Sequence, residues 1–341
     1  MKRTFKFSAS VLLLASAVAV SCQKEESASS SVAGLPVQSD LVTLTISAET
    51  ATKAPTASIS DAAKNTLQVF VFTTDGALET DKRVEAGTLQ IGSRTGEKHI
   101  WAVVNAPAIT VTSESELRAA AVSLASCSAT SVVMAGSTTE TITSTSDRID
   151  ISVDRLVAKV SLQNVSVNFT GNSLDGKTFI VKDLYLKNVA GSTNIAGNAA
   201  MNAITWYNKL TRESGAPAVI EDTGLNTTVN AGGATTGTAA VNRTWFTCPN
   251  SASDSAAGQE STWSPRRTRL VMHATVGGED TYYTFDLPSL ARNHSYNITS
   301  ITVTMKGKDN DNNDEKTSSG ALNMDITVNP WTGEDDITYT Y

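Results

Sequence analysis

The sequence has few of the residues from which active sites and metal centres are built. Only three cysteines and three histidines occur among 341 residues. No C-x-x-C pair, nucleophile elbow, zinc-protease motif or phosphate-binding loop is present. The histidines, His99, His273 and His294, lie in or beside strand-like segments and lack partners at metal-ligand or triad spacing, which favours structural roles. We therefore predict a protein that is not an enzyme and that uses no cofactor or metal.

Basic patches and long charged helical runs are also missing. The formal net charge is -7 and charged residues make up 18% of the chain, so a nucleic-acid partner is not indicated. Hydrophobic residues make up 40%, which is enough to build a packed core. Threonine, serine, alanine and valine dominate, and this composition favours strands and turns over helices.

Two further features of the sequence are better explained by structure than by chemistry. Cys127 and Cys248 are far apart in the chain and are predicted to be two buried thiols rather than a bridge. Residues 309–313 resemble the start of a calcium loop, but Asp314 stands where that loop needs glycine and Gly320 where it needs an acid. We interpret this segment as a solvated hairpin tip.

The N-terminus has the pattern of an export signal. Lys2, Arg3 and Lys6 precede a short apolar segment, residues 11–20, and small residues then lead to Cys22. Residues 1–21 are therefore predicted to be a lipoprotein signal peptide with Cys22 as the lipidated residue, although a plain secretory signal with an incidental cysteine remains open. Residues 22–40 are polar and serine-rich, which predicts a flexible tether.

Most of the remaining chain has the alternation of short strands. Residues 41–48 form the clearest case, with one apolar face made of Val42, Leu44, Ile46 and Ala48. The linker that follows contains a single basic residue, Lys53. A capping box at residues 113–116 predicts one short helix over residues 114–124, whereas residues 190–240 are predicted to be long loops with scattered short strands. The class is all-β, with two β-sandwich domains at residues 41–162 and 163–341 and the helix in the first.

The last segment, residues 321–341, has an unusual pattern for a chain end, which is normally frayed and polar. Apolar residues alternate with polar ones on both sides of a turn that contains Pro330 and Gly333. The pattern predicts a strand, a turn and a second strand, so this tail should lie in a sheet. Its apolar positions are Leu322, Met324, Ile326, Val328, Ile337, Tyr339 and Tyr341.

Several segments, taken in order, resemble the fimbrillin family, the lipoprotein pilins of Bacteroidales that form type V pili. The lipoprotein signal, the basic residue after the first strand, and the closing strand-Pro-Trp-strand tail carry part of the resemblance. The rest is carried by residues 101–107 (WAVVNAP), 155–160 (RLVAKV) and 290–296 (LARNHSY). Together these segments extend over nearly the whole chain.

The resemblance implies a transthyretin-like sandwich in each domain and export as a lipoprotein to the outer membrane surface. It also implies cleavage by a trypsin-like protease, here at the Lys53–Ala54 bond, which would release the first strand with its side chains Val42, Leu44, Ile46 and Ala48. Subunits would then polymerise into a fimbrium for adhesion, as the tail of one copy fills the groove of the next. The partners implied are other pilin copies, the protease, and the membrane before maturation.

Two alternatives remain open from the sequence. The chain could be an anchor or accessory pilin that keeps its lipid and is never cut. It could also be a monomeric surface lipoprotein that binds glycans through an aromatic platform made of Trp206, Tyr207, Trp245 and Trp263, although buried core aromatics are the commoner explanation.

Overall fold

The structure is a computed structural model that describes residues 41–50, 63–85, 88–197, 205–252, 263–311, 322–330 and 337–340. Strands dominate these residues, which confirms the predicted all-β class. In chain order, the strands that begin before residue 160 are β1 (Leu41–Thr50), β2 (Thr66–Thr73), β3 (Leu78–Glu85), β4 (Leu89–Arg94), β5 (Gly96–Val104), β6 (Ala121–Ser123), β7 (Met134–Ile142), β8 (Arg148–Arg155) and β9 (Ala158–Asn168). The later strands are β10 (Phe179–Lys187), β11 (Val189–Ala190), β12 (Ser192–Asn194), β13 (Trp206–Tyr207), β14 (Glu221–Asp222), β15 (Thr227–Asn230), β16 (Thr236–Thr247), β17 (Arg269–Val276), β18 (Glu279–Asp286), β19 (His294–Val303), β20 (Leu322–Pro330) and β21 (Ile337–Thr340).

The first sheet has seven strands in the order β3-β2-β5-β7-β8-β1-β4. Its strand β2 is buried on both faces, because Leu67, Val69 and Val71 point into one hydrophobic cluster and Phe70 and Phe72 into another. The cluster that contains Val69 also receives the apolar side chains of β1, β4, β5 and β8. This smaller cluster is the core around which the candidate site is built, and it is called the N-terminal core below.

The remaining strands form two five-stranded sheets and two short pairs. One sheet has the order β16-β9-β19-β20-β21, and the other has the order β14-β10-β17-β18 with β15 also paired to β10. The short pairs are β11 with β13 and β12 with β6. Strand β9 runs without a break across residues 162 and 163, the boundary predicted from the sequence. The two-domain division stays a prediction.

The predicted helix is shorter than its sequence pattern indicates. Helix α1 (Glu114–Ala119) begins where expected, since the Ser113 side chain accepts a hydrogen bond from the Glu116 amide and caps the N-terminus. It ends five residues before the predicted residue 124, because residues 121–123 pair with β12 as strand β6. Strand pairing has overridden helical periodicity here, and the predicted C-terminal end was wrong. None of the described helices is long and apolar enough to cross a membrane.

Besides β6, the sequence pattern did not predict strand β3 or most of strand β16. Strand β3 is mostly polar and lies at the edge of the first sheet, where a strand has only one paired neighbour. Its residues are half-buried or exposed. Strand β16 is 12 residues long, whereas its first five residues, 236–240, belong to the segment predicted to be long loops with scattered short strands. Its first half alternates small and polar residues, so it lacks the apolar signal on which the prediction depended.

Candidate strand-exchange groove

The first strand occupies an internal position in its sheet although it is close to the chain start. Strand β1 lies between β4, with which it is antiparallel, and β8, with which it is parallel. The register places Leu44 opposite Ile91 of β4, and Ile46 opposite Leu89 of β4 and Ile149 of β8. Strand β4 is the terminal strand of the sheet and pairs along its length with β1. Strand β1 therefore connects β4 to the rest of the sheet.

The predicted apolar face of β1 points into the N-terminal core. Leu44 and Ile46 are 0% exposed, and Val42 and Ala48 are 9% and 6% exposed. The opposite face is at the surface, where the Ser47 hydroxyl donates to Asp150, and the side chains of Glu49 and Arg148 lie 3.9 Å apart. The sequence therefore located both the strand and its buried face. We call the space filled by the four apolar side chains the β1 groove.

A largely buried ion pair lies beside Ser93, the residue of β4 that is opposite Val42. Lys98 donates to the Glu79 carboxylate at 2.5 Å, and Glu79 also accepts from the Ser93 hydroxyl at 3.1 Å and from the Arg94 amide at 2.7 Å. Burial opposes ionisation of Glu79, but these hydrogen bonds outweigh that cost and lower the pKa of its carboxyl. The ion pair is thus a charged site next to the Val42 end of an otherwise apolar groove.

The backbones of β7 and β8 pack closely at Ser152, the residue that pairs with Glu49 of β1. A methyl group at Gly136 of β7 would lie 1.8 Å from the backbone oxygen of Ser152 in β8. No side chain fits in that space, so glycine is required where these two strands approach each other. The N-terminal core residues Met134 and Ile151 lie on the same two strands, on either side of this contact.

The predicted processing residues lie outside the described part of the chain. This applies to Cys22 and to the Lys53–Ala54 bond in the linker between β1 and β2. The described parts nearest to that bond are the end of β1 at Thr50 and the start of the next segment at Ala63. Their predicted roles in lipidation and cleavage stay predictions.

The predicted donor tail is paired within its own chain. Strand β20, which contains Leu322, Met324, Ile326 and Val328, lies antiparallel to β19 from Leu322 opposite Val303 to Pro330 opposite His294. Strand β21, with Ile337 and Tyr339, pairs with β20 and forms the end of that sheet. Tyr341 lies outside the described residues. The tail is thus a strand pair at a sheet edge, as its alternation predicts, and its role as a donor stays a prediction.

The aromatic platform of the glycan-binding alternative is largely internal. Trp245 is 0% exposed and Trp206 is 7% exposed. The half-buried ring of Trp263 packs edge-on against Trp206 at 5.3 Å, with the cationic groups of Lys209 and Arg266 over it at 5.8 and 5.4 Å. Trp206 and Trp245, two of the four aromatic residues, therefore belong to the core, in line with the commoner explanation that these residues are buried core aromatics.

The histidines have structural partners among the described residues. His99 lies 2.7 Å from the Glu114 carboxylate, His273 lies between Asp183 and Asp280 at 2.7 and 3.0 Å, and His294 bonds to a backbone oxygen. Across the described ranges, no group of three or more acidic, histidine or cysteine side chains is placed to hold a metal ion.

The two described cysteines are buried free thiols. Burial raises the pKa of Cys127, and burial together with the nearby Cys127 raises the pKa of Cys248 well above its usual value. Neither thiol is therefore activated as a nucleophile.

Solved structures share this fold, whereas no protein-family model and no curated protein matches the sequence. A fimbrilin (FimA) from Porphyromonas gingivalis W83 matches with a TM-score of 0.57 over 86% of this chain and 98% of its own, at 16% identity. A provisionally assigned cell adhesion protein from Parabacteroides distasonis matches with a TM-score of 0.60 over 85% of this chain and 98% of its own, at 15% identity. Another from Bacteroides eggerthii matches with a TM-score of 0.58 over 87% and 98%, at 18% identity. At these identities the matches establish the fold, and this chain therefore has the fimbrillin-like fold that its sequence motifs indicated.

Proposed function

We propose that the chain is a stalk pilin of a cell-surface fimbrium that mediates adhesion. It is exported to the outer membrane as a lipoprotein acylated at Cys22 and is cut after Lys53 by a protease of trypsin-like specificity. The cut chain loses β1, and the β1 groove is then filled by the tail of another copy. The observation that carries this proposal is that β1 is internal to its sheet, buried along one whole face, and followed directly by the linker that contains Lys53.

The energetic consequence of losing β1 supports the proposal. Burial of Val42, Leu44 and Ile46 contributes roughly 1.5–3 kcal/mol for each side chain, or about 5–9 kcal/mol together. Hydrogen bonds to β4 and β8 add roughly 0.5–1.5 kcal/mol each. The sum is comparable with the whole stability of an ordinary domain, about 5–15 kcal/mol. An empty groove with unpaired strand edges is therefore strongly unfavourable in water and should bind a new strand.

The tail has the pattern that such a groove requires. In β1 the apolar side chains stand at four alternate positions, 42, 44, 46 and 48, and in β20 at 322, 324, 326 and 328. A tail strand from a neighbour would fill the groove by β-augmentation, after it leaves its own place beside β19. Because the groove and the tail are different surfaces, the contact is head-to-tail and does not close, so it propagates as a filament. The fimbrial name of the FimA structure is in line with this function.

The proposal is tested by cleavage of the purified full chain with trypsin, followed by N-terminal sequencing and electrophoresis in SDS without boiling. We expect a new N-terminus at Ala54 and ladders of SDS-resistant polymers. Lys53→Gln should block both. Ile326→Asp should block the ladders, whereas Thr327→Asp, one position along on the other face of the tail, should affect them much less. Cleaved protein that stays monomeric with an unaltered tail would contradict the proposal.

A second candidate is favoured by the pairing of β20 with β19 inside the same chain. A subunit that keeps its tail in its own sheet and its lipid on Cys22 would be an anchor pilin rather than a stalk pilin. The N-terminus of protein recovered from cells discriminates between the two. Ala54 supports the stalk, and acylated Cys22 supports the anchor.

A further inference from the structure

Strand β1 is longer than β4, which pairs with it on one side. A backbone carbonyl near the end of β1 therefore has no hydrogen-bond partner in β4. The Thr45 amide donates to Asp147 at 2.8 Å, on the β8 side of β1. The N–H and C=O groups of one residue in a strand point to the same side, and those of the next residue point to the opposite side. The N–H and C=O groups of Ile46 and Ala48 therefore face the β4 side. The pairing with β4 ends at Ile46, opposite Leu89. The Ala48 carbonyl therefore lies on the β4 side beyond the end of that ladder.

A lysine from a different segment binds this carbonyl. The Lys64 ammonium group donates a hydrogen bond to the Ala48 backbone oxygen. Lys64 is half-buried and stands two residues before the start of β2, on the far side of the linker that contains Lys53. A hydrogen bond from a charged donor is stronger than a bond between neutral groups. The ammonium group thus replaces the missing ladder partner at this end of β1.

The segment that presents Lys64 is fixed to the body of the protein. The Asn105 side chain accepts from the Asn65 amide at 2.8 Å and donates to the backbone oxygens of Ala63 and Val132 at 2.6 and 2.9 Å. Asn105 is 7% exposed and has a φ of 60°, a left-handed conformation that asparagine tolerates better than most residues. Residues on both sides of Lys64 are therefore held in place without any contribution from β1.

We propose that Lys64 is a carbonyl clamp for the strand in the β1 groove, with Asn105 as its positioning residue. In the uncut chain the clamp binds the Ala48 carbonyl and keeps β1 seated. After cleavage between β1 and Lys64, the clamp remains with the acceptor subunit. There it binds the backbone carbonyl of the donor residue that takes the place of Ala48. The ligand class is a main-chain carbonyl of an extended strand, so the clamp fixes how deeply a donor strand enters. This second role rests on the proposed function.

The first experiment uses the uncut full chain and hydrogen–deuterium exchange of β1 and β2 amides. Lys64→Met keeps the aliphatic length but removes the charge, and it should speed the exchange of β1 amides by about tenfold relative to β2. Lys64→Arg should restore slow exchange. Lys82→Met is the matched control, because Lys82 also donates to a backbone oxygen, that of Gln90 in β4, at 2.9 Å. It should leave the exchange of β1 unchanged.

Two results would overturn the clamp. One is unchanged exchange of β1 in Lys64→Met, and the other is an equal rise in β1 and β2, which would mean a general loss of stability. The second experiment follows the release of the β1 peptide after cleavage, by mass spectrometry under native conditions. Lys64→Met should shorten its retention about tenfold and Lys82→Met should not, and equal retention would contradict the clamp. Failure of the proposed function is separate: wild-type chain would resist cleavage or would not polymerise, whatever the exchange of β1.

Discussion

A substitution at Leu44 should destabilise the uncut chain and should leave the stability of the filament unchanged. Leu44 is 0% exposed in the N-terminal core, and replacing a buried leucine with alanine costs about 2–5 kcal/mol. Against a total of about 5–15 kcal/mol for a typical domain, Leu44→Ala should lower the urea midpoint of the uncut chain substantially. In the proposed maturation β1 is released, so residue 44 would no longer be part of the molecule. Filaments grown from the cut variant should therefore dissociate in denaturant at the same concentration as wild type.

The matched control for this prediction is Leu67→Ala. Leu67 is 2% exposed and belongs to the same core, but it lies on β2, which would stay in the subunit after the proposed cleavage. This variant should lose stability by a similar amount both before and after assembly. If Leu44→Ala weakens filaments as much as Leu67→Ala does, β1 has remained in the groove, which would contradict its replacement by a donor strand.

Three other substitutions or conditions test the described structure. Gly136→Ala should destabilise the uncut chain by more than about 1–3 kcal/mol, an ordinary overpacking cost, because its methyl group would meet a backbone oxygen at 1.8 Å. Gly92→Ala is the control, because its methyl group would meet only flexible side-chain atoms. Equal melting temperatures of the two variants would contradict this. The pKa of Glu79 is lowered in the folded state, so its contribution is present above the unfolded pKa and is lost as pH falls through the folded value. Glu79→Gln should therefore flatten the loss of stability in acid, and an unchanged pH profile would contradict the ion pair. Cys127 and Cys248 are buried with raised pKa values, so a thiol reagent at pH 8 should label them only after unfolding, and rapid labelling of folded protein would contradict their burial.

The sequence predicted those strands in which apolar and polar residues alternate. The alternation of Val42, Leu44, Ile46 and Ala48 located β1 and its inward face, and the alternation from Leu322 to Val328 located β20. Alternation of apolar and polar side chains is the pattern expected of a strand with one buried face. Strand β3 and the first half of β16 have little apolar alternation, so the same reasoning could not find them.

Only part of the candidate site could be predicted from the sequence. The apolar lining of the β1 groove could be predicted, but the placement of β1 between β4 and β8 could not, because strand order depends on long-range pairing that no local pattern encodes. Lys64 was missed for the same reason, since its partner is a backbone atom on another segment. Asn105 lies within the segment 101–107 that carries part of the family resemblance, yet its contacts become clear only in three dimensions.

The most direct test of strand replacement is the mass-spectrometric sequence of subunits taken from filaments shed from the cell surface. We expect subunits that begin at Ala54 and contain no peptide from β1. Subunits from the same filaments that carry acylated Cys22 and the intact β1 sequence would contradict it.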